Sequence, residues 1–148
     1  MKVIGVIGAG ECDPALYEAA REVGRLIAKR GAALVCGGLF GVMEAASQGA
    51  KEAGGLTVGL LPGADPGSGN PYLDLALPTG LGEGRNLLIV RAAEALIAIG
   101  GGYGTLSEIA LALKTGKRVV GLQCTWGHIP GIVKANSPEE AVERAMAP

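Results

Sequence analysis

Residues 95–108 read Ala-Leu-Ile-Ala-Ile-Gly-Gly-Gly-Tyr-Gly-Thr-Leu-Ser-Glu. Ala95 to Ile99 is an apolar run too short for a helix, which predicts a buried strand. Gly100, Gly101, Gly102 and Gly104 follow at once, and an apolar-periodic helix is expected from near Thr105. Strand, glycine-rich turn and helix start, in that order, aim several backbone N–H groups and the positive end of a helix dipole at one spot. With no Cβ in the way, an anion can come close there, and a phosphate so held needs no lysine. The same stretch also suits a tight βα turn that binds nothing.

The pattern recurs along the chain. Met1 to Ile7 leads into Gly8-Ala9-Gly10, Ala32 to Cys36 into Gly37-Gly38-Leu39-Phe40-Gly41, and Leu56 to Leu61 into Pro62-Gly63. In an open parallel sheet these turns all fall at the carboxyl ends of strands, along the edge where such folds bind ligands. The expected architecture is therefore α/β: a three-layer, doubly wound, mostly parallel sheet of Rossmann-like type, in one domain spanning 1–148. A chain of 148 residues, 49% of them hydrophobic and 18% charged, can bury a single core, removing roughly 70% of its unfolded surface from water.

Composition narrows the function. The net charge of −1 leaves no basic footprint for nucleic acid or an anionic membrane. Three cysteines without CxxC spacing predict neither a disulfide framework nor a metal site. No stretch approaches the ~18 apolar residues of a spanning helix, and glycine and acidic residues interrupt the first apolar run, so a cytoplasmic protein is expected. Gly8-Ala9-Gly10 fails as a dinucleotide fingerprint. Its third glycine would fall at Asp13, and no acid follows Cys36 to hold a ribose. Asp13-Pro14 instead reads as the N-cap and first residue of a helix that Gly31 stops.

The second helix, about Val42 to Ala53, is rich in small residues, which permits another backbone to approach, from the sheet or from a second subunit. Ala64 to Tyr72 is expected to be a loop at the ligand edge, a flap or a plain connector. Leu73 to Pro78 reads as a short strand and Ile132 to Ala135 as an edge strand. Ser137-Pro138-Glu139-Glu140 is a capping box. The helix after the central turn is apolar nearly all round, which points to burial on both sides and a symmetric contact between copies. His128, the only histidine, has no partner in sequence and reads as structural.

Two charged residues stand out. Arg85 opens a helix after Gly82-Glu83-Gly84, where a cation opposes the dipole at a cost of up to ~1 kcal/mol unless an anion stands beside it. It faces either a ligand or, on the surface, Glu83. Glu108 either completes a capping box with Thr105 or faces a sugar or developing cation, since a carboxylate inside a phosphate cradle repels phosphate.

Gly100 to Glu108 resembles the PGGxGTxxE signature of the Lonely Guy (LOG) family of phoshoribohydrolases, whose members are often mislabelled lysine decarboxylases. Gly37 to Met43 is similar to that family's GGGxxGLM stretch, and Arg85 precedes Glu108 as the family's arginine precedes its glutamate. The resemblance implies a nucleoside 5′-monophosphate whose phosphate is held by Gly101, Gly102, Tyr103, Gly104 and Thr105; the glycine turns and the start of the helix at Arg85 add Gly8, Gly10, Gly37, Gly38, Arg85 and Asn86 to the candidate ligand-binding residues. It implies N-glycosidic cleavage assisted by Arg85 and Glu108, and a homodimer or higher homo-oligomer. Gly100 in place of proline, Asn86 in place of lysine and Gly82-Glu83-Gly84 in place of Met-His-Glu depart from the hydrolases. On these points the chain looks closer to the molybdenum cofactor carrier proteins, relatives that bind a phosphorylated pterin. That implies a small phosphorylated ligand, either the molybdenum cofactor or a nucleotide monophosphate, with no resident cofactor or metal required. No lysine sits at the glycine edge to form a Schiff base, so lysine decarboxylation is not expected.

Overall fold

The computed structural model describes residues 1–148. Its strands are β1 (Val3–Gly8), β2 (Ala33–Cys36), β3 (Thr57–Leu61), β4 (Leu75–Pro78), β5 (Ala95–Gly100), β6 (Arg118–Cys124) and β7 (Val133–Ala135). Its helices are α1 (Pro14–Lys29), α2 (Val42–Glu52), α3 (Arg85–Ala92), α4 (Tyr103–Lys114) and α5 (Pro138–Met146). The seven strands pair in the order β4-β3-β2-β1-β5-β6-β7, every pair parallel. Chain direction along the sheet reverses between β1 and β5, which is where a doubly wound sheet opens a crevice.

The core strands are buried on both faces because alternate residues serve different helix layers. Ile4 and Val6 of β1 and Ile97 and Ile99 of β5 pack with Ala20, Val23 and Ile27 of α1, Ala45, Ala46 and Ala50 of α2, and Ala141 and Val142 of α5. Ile7, Leu96 and Ala98 turn the other way, onto Ile89 and Val90 of α3 and Ile109 and Ala112 of α4. The small residues of α2 meet α1 rather than a second subunit. A methyl group on Gly24 would overlap the Ala46 carbonyl oxygen, and one on Gly49 would overlap that of Arg21.

The helix ends follow their local signals. The Asp13 side chain accepts a hydrogen bond from the Leu16 amide at 2.8 Å, with Pro14 at the first helical position. Ser137 Oγ accepts from the Glu140 amide at 3.1 Å, while Glu140 reaches back one residue further than a simple capping box, to the Asn136 amide. β4 is shorter than its apolar run because Asp74 is diverted, its carboxylate accepting from the Thr57 amide at 2.9 Å. The segment between β3 and β4 is anchored by buried Asn70, whose Nδ2 donates to the Leu39 carbonyl at 2.8 Å. None of the helices is long and apolar enough to cross a membrane.

Candidate functional site

The carboxyl ends of β1, β2 and β5 and the first turns of α2, α3 and α4 enclose a cleft of about 390 Å³. The crest of residues 100–105 forms one wall. Gly100 and Gly101 take positive φ of 61° and 117°, turning the chain sharply out of β5. α4 then begins at Tyr103, two residues before the expected start. Its first i to i−4 bond runs from the Leu106 amide to the Gly102 carbonyl, 3.0 Å. The amides of Gly101 to Thr105 come before that bond and have no acceptor among the turn and cap hydrogen bonds. Beyond Gly102 and Gly104 the space is open, with no atom within 4 Å of where a Cβ would stand. Acceptor-free amides at a helix N-terminus, unscreened by side chains, suit an anion.

Arg85 is the first residue of α3 and only 9% exposed, so the surface pairing with Glu83 is corrected by burial. Its guanidinium packs beside Gly37, where a Cβ would stand 2.8 Å from Arg85 Cζ. The glycine at 37 makes room for the cation. Arg85 Nη1 donates to Asn86 Oδ1 at 2.9 Å, Asn86 Nδ2 donates to Ser107 Oγ at 3.1 Å, and Ser107 Oγ donates to the Gly104 carbonyl at 2.7 Å. This chain of bonds ties the start of α3 to the first turn of α4. A lysine at position 86 could not accept from the arginine. Arg85 Nε is buried and without a partner in the protein, which costs free energy for a charged donor.

Glu108 also lines the cleft and is 6% exposed. Because α4 starts at Tyr103, Thr105 is its third residue and Glu108 lies in the second turn, so the capping box with Thr105 does not form. Its carboxyl makes no ion pair with Arg85. Burial pushes the Glu108 pKa up to about 7, and the Arg85 charge opposes that rise only in part.

Of the residues singled out from the sequence, Gly8, Gly10, Gly37, Arg85, Asn86, Gly102, Gly104, Thr105 and Glu108 meet around the cleft. Gly38, Gly101 and Tyr103 do not line it. Gly38 (φ 77°) turns the chain, giving its amide to Cys36 Sγ at 3.3 Å and its carbonyl to the Asn70 amide at 2.8 Å. Gly101 packs on the Thr105 side chain. Tyr103 points outward, 83% exposed, its ring 5.9 Å from that of Trp126. Leu39, Met43 and Pro62 line the cleft without having been singled out. Met43 could have been found, since it follows a glycine turn in the first turn of a helix. No lysine lines the cleft, and His128 is exposed beside Trp126, outside it. The apolar surface that remains exposed includes Leu87 and Leu88 of α3 and Leu75 and Leu77 of edge strand β4. α4, by contrast, buries Ile109 and Ala112 against the sheet while Ala110 on its far side is exposed.

Comparison with known proteins bears on this geometry. The model described as LDcluster4, the SLOG cluster4 family, matches residues 1–147. The solved molybdenum cofactor binding protein from Rippkaea orientalis superposes with a TM-score of 0.91 at 42% identity, covering 97% of this chain and 94% of that one. The molybdenum cofactor carrier protein from Chlamydomonas reinhardtii superposes with a TM-score of 0.84 at 35% identity, over the same shares. A cytokinin riboside 5′-monophosphate phosphoribohydrolase from Mycobacterium tuberculosis is 33% identical over 130 residues, covering 79% of this chain and 67% of the relative.

Proposed function

The chain belongs to the SLOG cluster4 family, and from that premise we propose that it binds and carries a small phosphorylated ligand of the molybdenum cofactor type. The observation that supports this reading is the run of acceptor-free amides at residues 101–105, on the wall of a cleft that the Arg85 cation also lines. A phosphate on the crest would accept hydrogen bonds from several of those backbone N–H groups and share the cleft with the Arg85 charge. The cleft gathers no group of three or more His, Cys, Asp or Glu residues. The crest amides would hold such a cargo by its phosphate end. The likeness to two solved proteins named for this cofactor favours a pterin over a nucleotide. A homo-oligomer is part of the proposal, with the outer face of α4 and the exposed leucines of α3 and β4 as the apolar surfaces available to it.

The test is retention of ligand. Protein isolated from a host that makes the molybdenum cofactor should release a pterin on denaturation, identified by mass spectrometry of the extract. Arg85→Ala should bind about a hundredfold more weakly, since each charge-assisted hydrogen bond is worth ~1.5–3 kcal/mol. Retention by that variant equal to wild type would remove the basis of the proposal.

One observation favours a second reading, phosphoribohydrolase activity on nucleoside 5′-monophosphates. Glu108 is a buried carboxyl that titrates near neutrality in the same cleft, which suits a group facing an oxocarbenium-like sugar. On that reading AMP incubated with the protein yields adenine, and Glu108→Gln stops the release while leaving the fold intact. Intact AMP after long incubation at high protein concentration rules it out.

A further inference from the structure

The charges around the cleft conflict with the anion that its backbone invites. Glu83 and Glu108 both line it, against the single cation Arg85. With both carboxylates ionised the walls carry a net charge of −1. With Glu108 neutral, Arg85 and the exposed Glu83 balance, and the amides of the crest set the local field. We infer that the cleft takes up its anion together with a proton carried by Glu108, so that occupancy and the protonation of this one carboxyl are linked. The inference rests on the anion-binding reading of the cleft and adds to it a regulation of the same site.

The surroundings of Glu108 leave it as the group that responds. α3 faces it with Arg85, whose Nη1 is already committed to Asn86, and the turn before α3 contributes Glu83. Cys36 at the end of β2 is fully buried, its thiol pushed up by that burial and so neutral. β1 and β5 carry no titratable residue, and β6 has only Arg118 and Cys124 at its two ends. On α4 itself the other titratable groups are Tyr103, exposed at its start, and Lys114 at the far end; α2 carries Glu44 in its first turn, and the loop after β1 carries Glu11 and Asp13. The Glu108 carboxyl has no hydrogen-bond donor in the protein to stabilise its ionised form, and burial already places its titration near neutrality. An anion on the crest adds a second negative charge beside it, which favours the protonated form further. By reciprocity, protonating Glu108 must tighten the anion by the same factor. A protonated carboxyl can also donate its O–H to an anion oxygen, which the ionised form cannot.

The test uses sulfate, whose charge is fixed across the relevant range, so that any pH dependence belongs to the protein. In isotope-labelled protein, the carboxyl carbon resonance of Glu108 is titrated by NMR from about pH 5 to about pH 9, with and without saturating sulfate. The expected result is a midpoint raised by about one unit, matched by sulfate binding about tenfold weaker on the alkaline side than on the acid side. Glu108→Gln should bind sulfate with the affinity of the acid limb at every pH. If sulfate shifts the amides of residues 101–105 while the Glu108 midpoint stays in place, the proton linkage is wrong and the anion site stands. If sulfate leaves those amides unmoved at every pH, the anion site falls and takes the linkage with it.

Discussion

Glycine does opposite work in two regions of this molecule. Where α1 crosses α2, Gly24 and Gly49 are glycines because another backbone fills the place of their side chains. On the crest, Gly102 and Gly104 have nothing where a side chain would stand. The first pair trades helix propensity, about 1 kcal/mol per glycine, for contact between two helices. The second pair loses similar flexibility with no packing return inside the protein, and the vacancy it keeps is lined by amides without acceptors. Occupied space beside a glycine marks architecture. Open space beside one, facing donors without acceptors, leaves the backbone itself accessible.

Gly49→Ala puts that contrast to its severest test. The added methyl meets the backbone of Arg21 and Arg25, and overpacking between two rigid helices should cost about 3 kcal/mol or more, read as a lowered midpoint in denaturant unfolding. A near-normal midpoint would mean that the two helices are loosely seated and the contrast is false.

Glu108→Gln sharpens it from the cleft side, through a penalty that depends on pH. The folded-state pKa, about 7, lies above the ordinary carboxylate value of 4.5. The folded protein therefore binds the proton more tightly than the unfolded chain between those values. Wild-type stability is expected to fall as pH rises through that window and to level off above it. The glutamine variant should match wild type near about pH 4 and exceed it by up to ~3 kcal/mol at about pH 8. Equal unfolding midpoints for the two proteins at both pH values would show that the carboxyl is not strained by its burial.

Gly104→Ala gives the smallest effect and the most telling sign. It lies in the first turn of α4 with room for a methyl, so the fold should gain up to ~1 kcal/mol. Sulfate or cofactor binding should weaken several-fold as the methyl intrudes on the crest. A variant that gained stability and bound equally well would make the crest an ordinary turn.

The sequence announces much of this division. Short apolar runs closed by glycines predict the parallel strands, and the cation placed against a helix dipole singles out Arg85 while leaving a ligand and a surface pairing with Glu83 both open. What it conceals depends on partners distant in the chain. That Gly49 faces Arg21, or that Gly38 answers to Leu61 and Asn70, follows from packing that no local pattern encodes. The capping box at Thr105 fails for a related reason. With Gly100 and Gly101 both at positive φ, the chain turns early enough for helical geometry to begin at Tyr103. Two residues of difference turn Glu108 from a cap into a wall of the cleft. Tyr103 is carried outward by the same shift, towards Trp126.

Trp126 is the only tryptophan in the chain, and its indole Nε1 donates to the Gly102 carbonyl at 3.0 Å. The protein thus carries its own fluorophore on the far side of the peptide unit that a ligand would touch. Filling of the crest would perturb that emission directly, which turns an unlabelled sample in a cuvette into a readout of occupancy.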